Sequence, residues 1–153
     1  MKWFKFLIYF ALFAAAIIAV YNGVQLLTGS HYGSQDEKTL VYSVFEIMKT
    51  VDLAVGLLYL GSAVYAIVTR FALSGYKSIG PKLLFGQYAL NTAINLIYVI
   101  AVSSVLNNVS DVINVSSYTS QLTRQAIGQV ILAVVMIIVN KVYFDKRKDM
   151  FVN

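Results

Sequence analysis

The chain has 153 residues, of which 59% are hydrophobic and 12% are charged, against about 25% charged in ordinary soluble domains. It contains no cysteine, which excludes disulfide frameworks, iron–sulfur clusters and thiolate metal sites. A net charge of +5 would suggest nucleic-acid binding in a soluble protein, but here the basic residues lie between long apolar segments. We therefore expect a protein of the lipid bilayer that binds no nucleic acid.

Four segments are long and apolar enough to cross a bilayer. The clearest one, Leu53 to Val68, lies between Asp52 and Arg70. At about 1.5 Å per residue these two charges are about 27 Å apart, close to the ~30 Å thickness of the hydrocarbon core. The sequence predicts an all-α integral membrane protein, an antiparallel bundle of four transmembrane helices that forms one domain over residues 1–153. The predicted spans are 4–27, 42–72, 81–106 and 121–144.

Basic residues concentrate in alternate connections of this predicted bundle. Nine of the twelve Lys and Arg precede the first span, lie between the second and third, or end and follow the fourth: Lys2, Lys5, Arg70, Lys77, Lys82, Lys141, Lys146, Arg147 and Lys148. An excess of Lys and Arg in short loops marks the cytoplasmic face. We therefore expect both termini in the cytoplasm and the plasma membrane as the location.

The first span has an alternative interpretation as a secretory signal. It has a basic start, and the small residues 14–16 resemble a cleavage region. The apolar run continues through Ile17, Ile18 and Val20 without the polar stretch that usually follows a cleavage site. This continuation favours a retained helix.

A proline predicts where the third helix begins, and a glycine predicts where the second helix ends. Pro81 directly precedes Lys82, which fits the first turn of the third helix, where a missing N–H costs nothing. Gly75 can end the second helix. Apolar residues also recur at three- and four-residue steps from Leu40 to Val51, so we expect the second helix to begin outside the bilayer or on its surface.

Small residues recur on one side of the first two predicted helices. In lipid, helices associate by close packing of small side chains and by polar contacts, because the hydrophobic effect does not act between them. The predicted packing face consists of Ala11, Ala15, Ala19, Gly23, Gly56 and Ala63. We interpret it as a contact inside the bundle, with an oligomer interface as the alternative.

Polar residues inside the third and fourth spans form two stripes at helical spacing. They are Gln87, Asn91, Asn95 and Tyr98 on the third helix, and Gln125, Gln129 and Asn140 on the fourth. Each must find a partner or water inside the bilayer. We expect the two stripes to face each other and to hydrogen-bond across the bundle, or else to line a hydrated path.

Charged residues and sequons at the predicted outer face receive a structural interpretation. Glu46, Lys49 and Asp52 follow at three-residue steps, and we expect local pairing at the membrane surface rather than a vestibule for cations. Two N-glycosylation patterns begin at Asn108 and Asn114. Such short patterns are common in loops rich in Asn and Ser, so we expect them to be coincidental.

The groups that common catalytic sites require are missing from the sequence. The one histidine, His31, lies in a loop, and no cluster of ligands has the spacing of a metal site, so we expect neither metal nor cofactor. An enzyme with other groups stays open, and the available residues are Arg70, Arg124, Asn91, Asn95 and Tyr98.

These patterns favour a structural or accessory protein that packs with itself, as a homo-oligomer, or with a membrane partner. The alternative is an oligomeric channel or small-solute transporter lined by the two Gln/Asn stripes.

Overall fold

Four long helices make up most of residues 2–107 and 115–151, the part of the chain that the computed structural model describes. They are α1 (Lys2–Thr28), α3 (Glu46–Ser74), α4 (Gly80–Asn107) and α5 (Val115–Asp145), and a shorter helix, α2 (Gln35–Val44), precedes α3. Each of the four is long and apolar enough to cross a membrane. Within these described ranges no residue forms a strand, so the all-α class is confirmed.

Helix α1 contains a wider turn near its beginning. It consists of an α-helical start, a π-helical turn at Leu7–Ala11, and an α-helical remainder. The Arg70 Nε donates a hydrogen bond of 3.1 Å to the carbonyl oxygen of Ile8 within this turn. The bond joins the end of α3 to the beginning of α1. No motif in the sequence predicted the π-helical turn, which often marks a functional position in a helix.

The long helices pack in chain order, α1 on α3, α3 on α4, and α4 on α5. Helices α1 and α3 approach most closely at Gly23 and Gly56. A Cβ on Gly23 would lie 3.0 Å from the Gly56 carbonyl oxygen, and one on Gly56 would lie 3.1 Å from the Gly23 carbonyl oxygen. Of the predicted packing residues, Gly23 and Gly56 therefore lie between these helices. Ala19 and Ala63 are also buried, and Ala11 and Ala15 are half-buried.

Helix α5 meets α1 where α1 begins. The Trp3 Nε1 donates to the Asn140 Oδ1 at 3.0 Å, and the Phe4 and Phe144 rings meet edge to face with centroids 6.4 Å apart. A buried apolar cluster surrounds these contacts, consisting of Phe4, Leu7, Ile8, Leu12, Leu73, Leu84 and Phe144. We call this region the Trp3 end. We call the region around the first turns of α3 the Asp52 end. It lies at the opposite end of α3 from the Trp3 end.

The connection between α3 and α4 lies where the sequence predicts it, with Gly75 directly after α3, but its left-handed residue is not the glycine. Pro81 lies in the first turn of α4, as predicted, and α3 ends at Ser74. The left-handed residue is Tyr76, with φ 52°, whereas Gly75 has φ −84°. A non-glycine residue in this conformation costs about 1 kcal/mol. The Tyr76 ring stacks on Phe4 with centroids 5.4 Å apart, which offsets that cost.

The apolar pattern from Leu40 to Val51 is divided between two helices. The chain breaks at Phe45, with φ −128° and ψ 74°, so α3 begins at Glu46 rather than at residue 42. Helix α2 begins with a capping box, in which the Ser34 side chain accepts from the Glu37 N–H and the Glu37 carboxylate accepts from the Ser34 N–H. Two satisfied backbone donors stabilise α2 as an independent element.

Candidate functional site

Asp52 is a buried carboxylate in the second turn of α3. It is 1% exposed, and its Oδ2 accepts hydrogen bonds from the Tyr32 hydroxyl at 2.9 Å and from the Tyr42 hydroxyl at 3.0 Å. Glu46 and Lys49 are exposed, and among the described residues no ion pair joins Lys49 to Asp52. The expected surface pairing is therefore wrong for Asp52, because α2 and the preceding turn cover it.

His31 lies between Asp52 and the end of α1. Gly29 ends α1 in the left-handed conformation, with φ 70°, and a single turn of 3₁₀ helix, Ser30–Tyr32, follows it. The His31 Nδ1 lies 3.2 Å from the Gln25 carbonyl oxygen, and the Nε2 lies 3.6 Å from the Asp52 Oδ2. Because a carbonyl oxygen only accepts, the Nδ1 carries a proton in this bond. The Nε2 is thereby directed at the carboxylate.

The two tyrosines that bind Asp52 stay protonated far above neutral pH. Burial raises the pKa of Tyr32, and the negative charge of Asp52 and the hydrogen bond to it raise that pKa further. Burial and the hydrogen bond to Asp52 also raise the pKa of Tyr42 to about 12. Both phenols therefore act as neutral donors to the carboxylate.

Two buried polar atoms of this cluster have no hydrogen-bond partner in the described part of the chain, the Asp52 Oδ1 and the His31 Nε2. Such atoms are costly inside a protein and concentrate at functional positions. A carboxylate within an apolar helix is itself a candidate functional group. The sequence contained no spacing that linked Asp52 to Tyr32, Tyr42 and His31, because the three partners come from two other elements.

A cavity of about 300 Å³ opens beside His31, between the four long helices at the Asp52 end. Amide and phenol groups form much of its wall, and Leu26, Val99 and Leu122 form the apolar part. The polar lining residues are Asn22, Gln25, His31, Tyr59, Asn95, Tyr98 and Gln125. The cavity thus brings together three of the sequence-predicted polar residues, namely Asn95, Tyr98 and Gln125.

The polar stripe of α4 turns toward α3 over most of its length. The Gln87 Nε2 donates to the Ser62 carbonyl oxygen at 3.3 Å and to the Ser62 Oγ at 3.2 Å, and the Ser62 hydroxyl donates to the Asn91 Oδ1. One turn further on, Asn95 hydrogen-bonds Tyr59. The hydrogen bonds expected with the fourth predicted helix are therefore made with α3 instead, by Gln87 and by the Asn91 Oδ1. Helix α4 lies between two neighbours, and Asn91 also borders the groove toward α5.

The polar residues of α5 separate into three environments. Asn140 is fully buried at the Trp3 end, where its Nδ2 donates to the Tyr88 hydroxyl at 3.2 Å. Gln125 and Gln129 are exposed at the protein surface. Gln125 borders the cavity at the Asp52 end, and Gln129 borders a groove between α4 and α5 that Asn91 also lines.

The residues considered for catalysis are brought together only in part, because Asn95 and Tyr98 line the cavity and neither arginine does. Arg70 binds the Ile8 carbonyl oxygen at the Trp3 end, and Arg124 is exposed beside Gln125 at the Asp52 end. Residues 2–107 and 115–151 contain no group of three His, Cys, Asp or Glu that could hold a metal ion. The sequon residues Asn108 and Asn114 lie outside the described residues.

Comparison with known proteins gives no assignment, since no family model, no curated protein and no solved structure matches the chain. The geometry alone defines the class: an all-helical protein with four helices apolar enough to cross a membrane, and a polar site at one end.

Proposed function

We propose that this chain is an integral membrane protein whose four long helices cross the bilayer in alternating directions. The mean hydropathy of the four helices supports the crossing, and two contacts support the antiparallel order. Ile8 near the start of α1 meets Arg70 near the end of α3, and Gly23 near the end of α1 meets Gly56 near the start of α3. The distribution of Lys and Arg favours cytoplasmic termini and the plasma membrane.

The proposed role is structural or accessory, through association of α5 with a second copy of the chain or with another membrane protein. The observation that carries it is a surface strip on α5, which we call the Gln–Gly strip and define as Gln125, Gly128 and Gln129. Both glutamines are exposed, and a Cβ added to Gly128 would meet nothing within 4 Å. At about 100° per residue the three positions fall within an arc of about 100°.

An exposed amide in hydrocarbon is unfavourable unless it finds a partner. A glutamine amide both donates and accepts, so the strips of two copies can pair with each other, and the glycine between them permits close approach of the backbones. Helix α5 is also the least covered of the four. In its most apolar window 11% of residues are buried, against 33% in α1 and in α3. A second protein that binds the Gln–Gly strip would cover this exposed face of α5.

Single cysteines test this association directly, because the chain has none of its own. We expect Gly128→Cys to form a disulfide-linked dimer on mild oxidation in native membranes or liposomes. Ile127→Cys is the matched control, since Ile127 is 55% exposed at the same depth but about 100° away around the helix. Equal cross-linking of the two variants would contradict association through the strip.

A double variant tests the contribution of the amides. Gln125→Leu with Gln129→Leu removes both hydrogen-bonding groups and keeps similar side-chain volume. Interhelical hydrogen bonds in membranes average about 0.6 kcal/mol each, so loss of two such bonds from the dimer should weaken it by about ten-fold. The measurement is energy transfer between labelled copies diluted in liposomes. Unchanged association of the two copies would show that the amides do not stabilise the dimer.

The second candidate function is an oligomeric channel or small-solute transporter, which the amide-lined cavity favours. Only part of the predicted lining faces that cavity, because Gln87 and Asn91 bind Ser62 instead. The Trp3 end is filled by an apolar cluster, so passage would require that cluster to open. Solute flux into liposomes tests this function, and flux that Asn95→Leu abolishes in a normally folded protein would favour it over the accessory role.

A further inference from the structure

A groove opens at the protein surface where α5 ends and α1 begins. Its volume is about 380 Å³, and it is lined by Trp3 of α1, by Val139, Val142 and Tyr143 of α5, and by Lys146 and Arg147 of the turn that follows α5. Val139 is 46% exposed and Val142 is 52% exposed, so the apolar part of the groove is open to the surroundings of the helix. We call it the Arg147 groove.

The lining of the Arg147 groove changes from apolar to charged along α5. Val139, Val142 and Tyr143 stand at three- and four-residue spacing and therefore share one face of the helix, and the two cations follow just beyond the end of the helix. A bilayer changes in the same order, from hydrocarbon to headgroups. If α5 crosses the bilayer, the valines lie toward the hydrocarbon and the cations lie at the level of the headgroups.

One cation of the groove is held in a fixed orientation. The central carbon of the Arg147 guanidinium lies 4.1 Å from the centroid of the Tyr143 ring, and the Nη1 donates to the Tyr143 carbonyl oxygen at 3.2 Å. These contacts use one of the five N–H groups of the guanidinium. The other four, together with the exposed Lys146 ammonium, are available to an anion.

No acidic residue of the described chain neutralises these two cations. Asp145 and Asp149 are close in sequence, but neither lines the groove, and Asp145 pairs with Lys148 at 3.3 Å. Among the described residues neither Lys146 nor Arg147 forms an ion pair. An arginine fork and a lysine ammonium together suit a phosphate group. The choline of a zwitterionic lipid would bring a third positive charge, so the groove favours a lipid with net negative charge.

We propose that the Arg147 groove binds the headgroup of an anionic phospholipid. The phosphate binds Arg147 and Lys146, and the first carbons of the acyl chains pack on the two valines and on the Trp3 ring. A volume of about 380 Å³ equals that of about a dozen water molecules at ~30 Å³ each, which is enough for phosphate and glycerol while the chains continue along α5. Anionic lipids concentrate in the cytoplasmic leaflet, where the distribution of Lys and Arg places this end.

Lipid competition on the detergent-solubilised protein tests the proposal. Dioleoyl phosphatidylglycerol and dioleoyl phosphatidylcholine have the same chains and differ in headgroup charge, and native mass spectrometry counts what binds from an equimolar mixture. We expect at least about five-fold more phosphatidylglycerol to be bound. Equal binding of the two lipids would overturn the proposal. An excess of glycerol 3-phosphate, which has no acyl chains, should not displace the lipid; displacement would show a site for soluble phosphates and would overturn the lipid assignment.

Variants locate the site. Arg147→Gln and Lys146→Gln each remove one cation and should weaken phosphatidylglycerol binding about five-fold. Lys148→Gln is the matched control, because it makes the same charge change in the same segment, yet Lys148 pairs with Asp145 and does not line the groove. We expect it to change binding less than about two-fold. Equal weakening by all three variants would indicate attraction by net charge alone and would overturn the site. If Arg147→Gln does not fold, comparison of Lys146→Gln with Lys148→Gln decides.

The lipid site rests on the proposed crossing of the bilayer, and that crossing fails by a different measurement. Alkaline carbonate washing leaves proteins whose helices cross the bilayer in the membrane. Release of this protein by carbonate would overturn the crossing and the lipid site together. Retention of the protein, with no preference between the two lipids, would overturn the lipid site alone. The Gln–Gly strip contributes no residue to the groove, so association through it can fail independently.

Discussion

The two ends of the helix bundle are built from different chemistry. At the Trp3 end, Phe4, Leu84 and Phe144 are at most 5% exposed and belong to one apolar cluster. At the Asp52 end, a buried carboxylate binds two phenols, and a cavity lined by amides lies beside it. Close packing holds the helices together at the Trp3 end. At the Asp52 end, hydrogen bonds from a turn and from the short helix α2 cover the carboxylate.

This difference predicts that the two ends contribute unequally to stability. Apolar packing holds the buried cluster at the Trp3 end, while hydrogen bonds hold the buried carboxylate at the Asp52 end. The expected effects of substitution follow from it. Changes at the Trp3 end should lower the free energy of unfolding most, and changes at the Asp52 end should lower it less.

The largest effect is expected for Phe144→Ala, which removes a ring that meets Phe4, Phe85 and Phe151. We expect a loss of about 3 kcal/mol in the free energy of unfolding, because the cluster cannot collapse around the missing ring. Phe13→Ala is the control, since Phe13 is 57% exposed. Unfolding in a denaturing detergent series measures both. Equal losses would show that the Trp3 end is not the more tightly packed region.

The next largest loss of stability is expected for substitutions at the contact between α1 and α3. Gly56→Ala places a methyl group 3.1 Å from the Gly23 carbonyl oxygen and closer still to the Leu27 side chain, so the helices must separate slightly. We expect a loss of about 1–2 kcal/mol in the free energy of unfolding. Gly61→Ala on the same helix meets nothing within 4 Å and should be neutral or stabilising. Reversal of that order would contradict the close backbone contact.

At the Asp52 end, Tyr42→Phe removes one of the two phenol donors to the carboxylate. We expect a loss of about 1.5 kcal/mol, the usual contribution of a hydrogen bond to a charged group, with Tyr32 keeping the carboxylate bound. Tyr9→Phe is the control because Tyr9 is 69% exposed. The same unfolding series applies. A neutral result for Tyr42→Phe would mean that Tyr32 alone satisfies Asp52.

The smallest expected effect is the loss of the contribution of Tyr42 to stability at alkaline pH. Tyr42 has a folded pKa of about 12, above the value of about 10 for an unfolded chain. Its contribution to stability is therefore complete below pH ~10 and is lost as the pH rises through about 12. Phenolate absorbance should show that the Tyr42→Phe variant lacks one late-titrating group, whereas Tyr9→Phe retains it. Loss of an early-titrating group instead would place Tyr42 in water.

The long helices could be predicted from the sequence because hydropathy and length are local properties. Pro81 likewise marked the start of α4 by its own backbone geometry. The break at Phe45 was missed, since apolar spacing continues across it and only the backbone angles reveal it. The Ser34–Glu37 capping box was a local signal for α2 that sequence reasoning did not use.

The candidate site was predictable only in part. Asn95, Tyr98 and Gln125 were singled out as polar residues in apolar spans, and the structure places them around one cavity. The environment of Asp52 depends on how α2 and the turn after α1 fold back over α3, which spacing along the chain does not encode. For the same reason the partner of Asn91 was assigned to the wrong helix, because helix rotation is decided by packing.

The hydrogen bond between Trp3 and Asn140 has a practical consequence. Trp3 is the single tryptophan of the chain, so the indole fluorescence of the protein comes from one side chain whose N–H is hydrogen-bonded across two helices. Excitation of that indole therefore observes the junction between α1 and α5 without any attached label. A shift of its emission to longer wavelength would signal that water has entered as the two helices part.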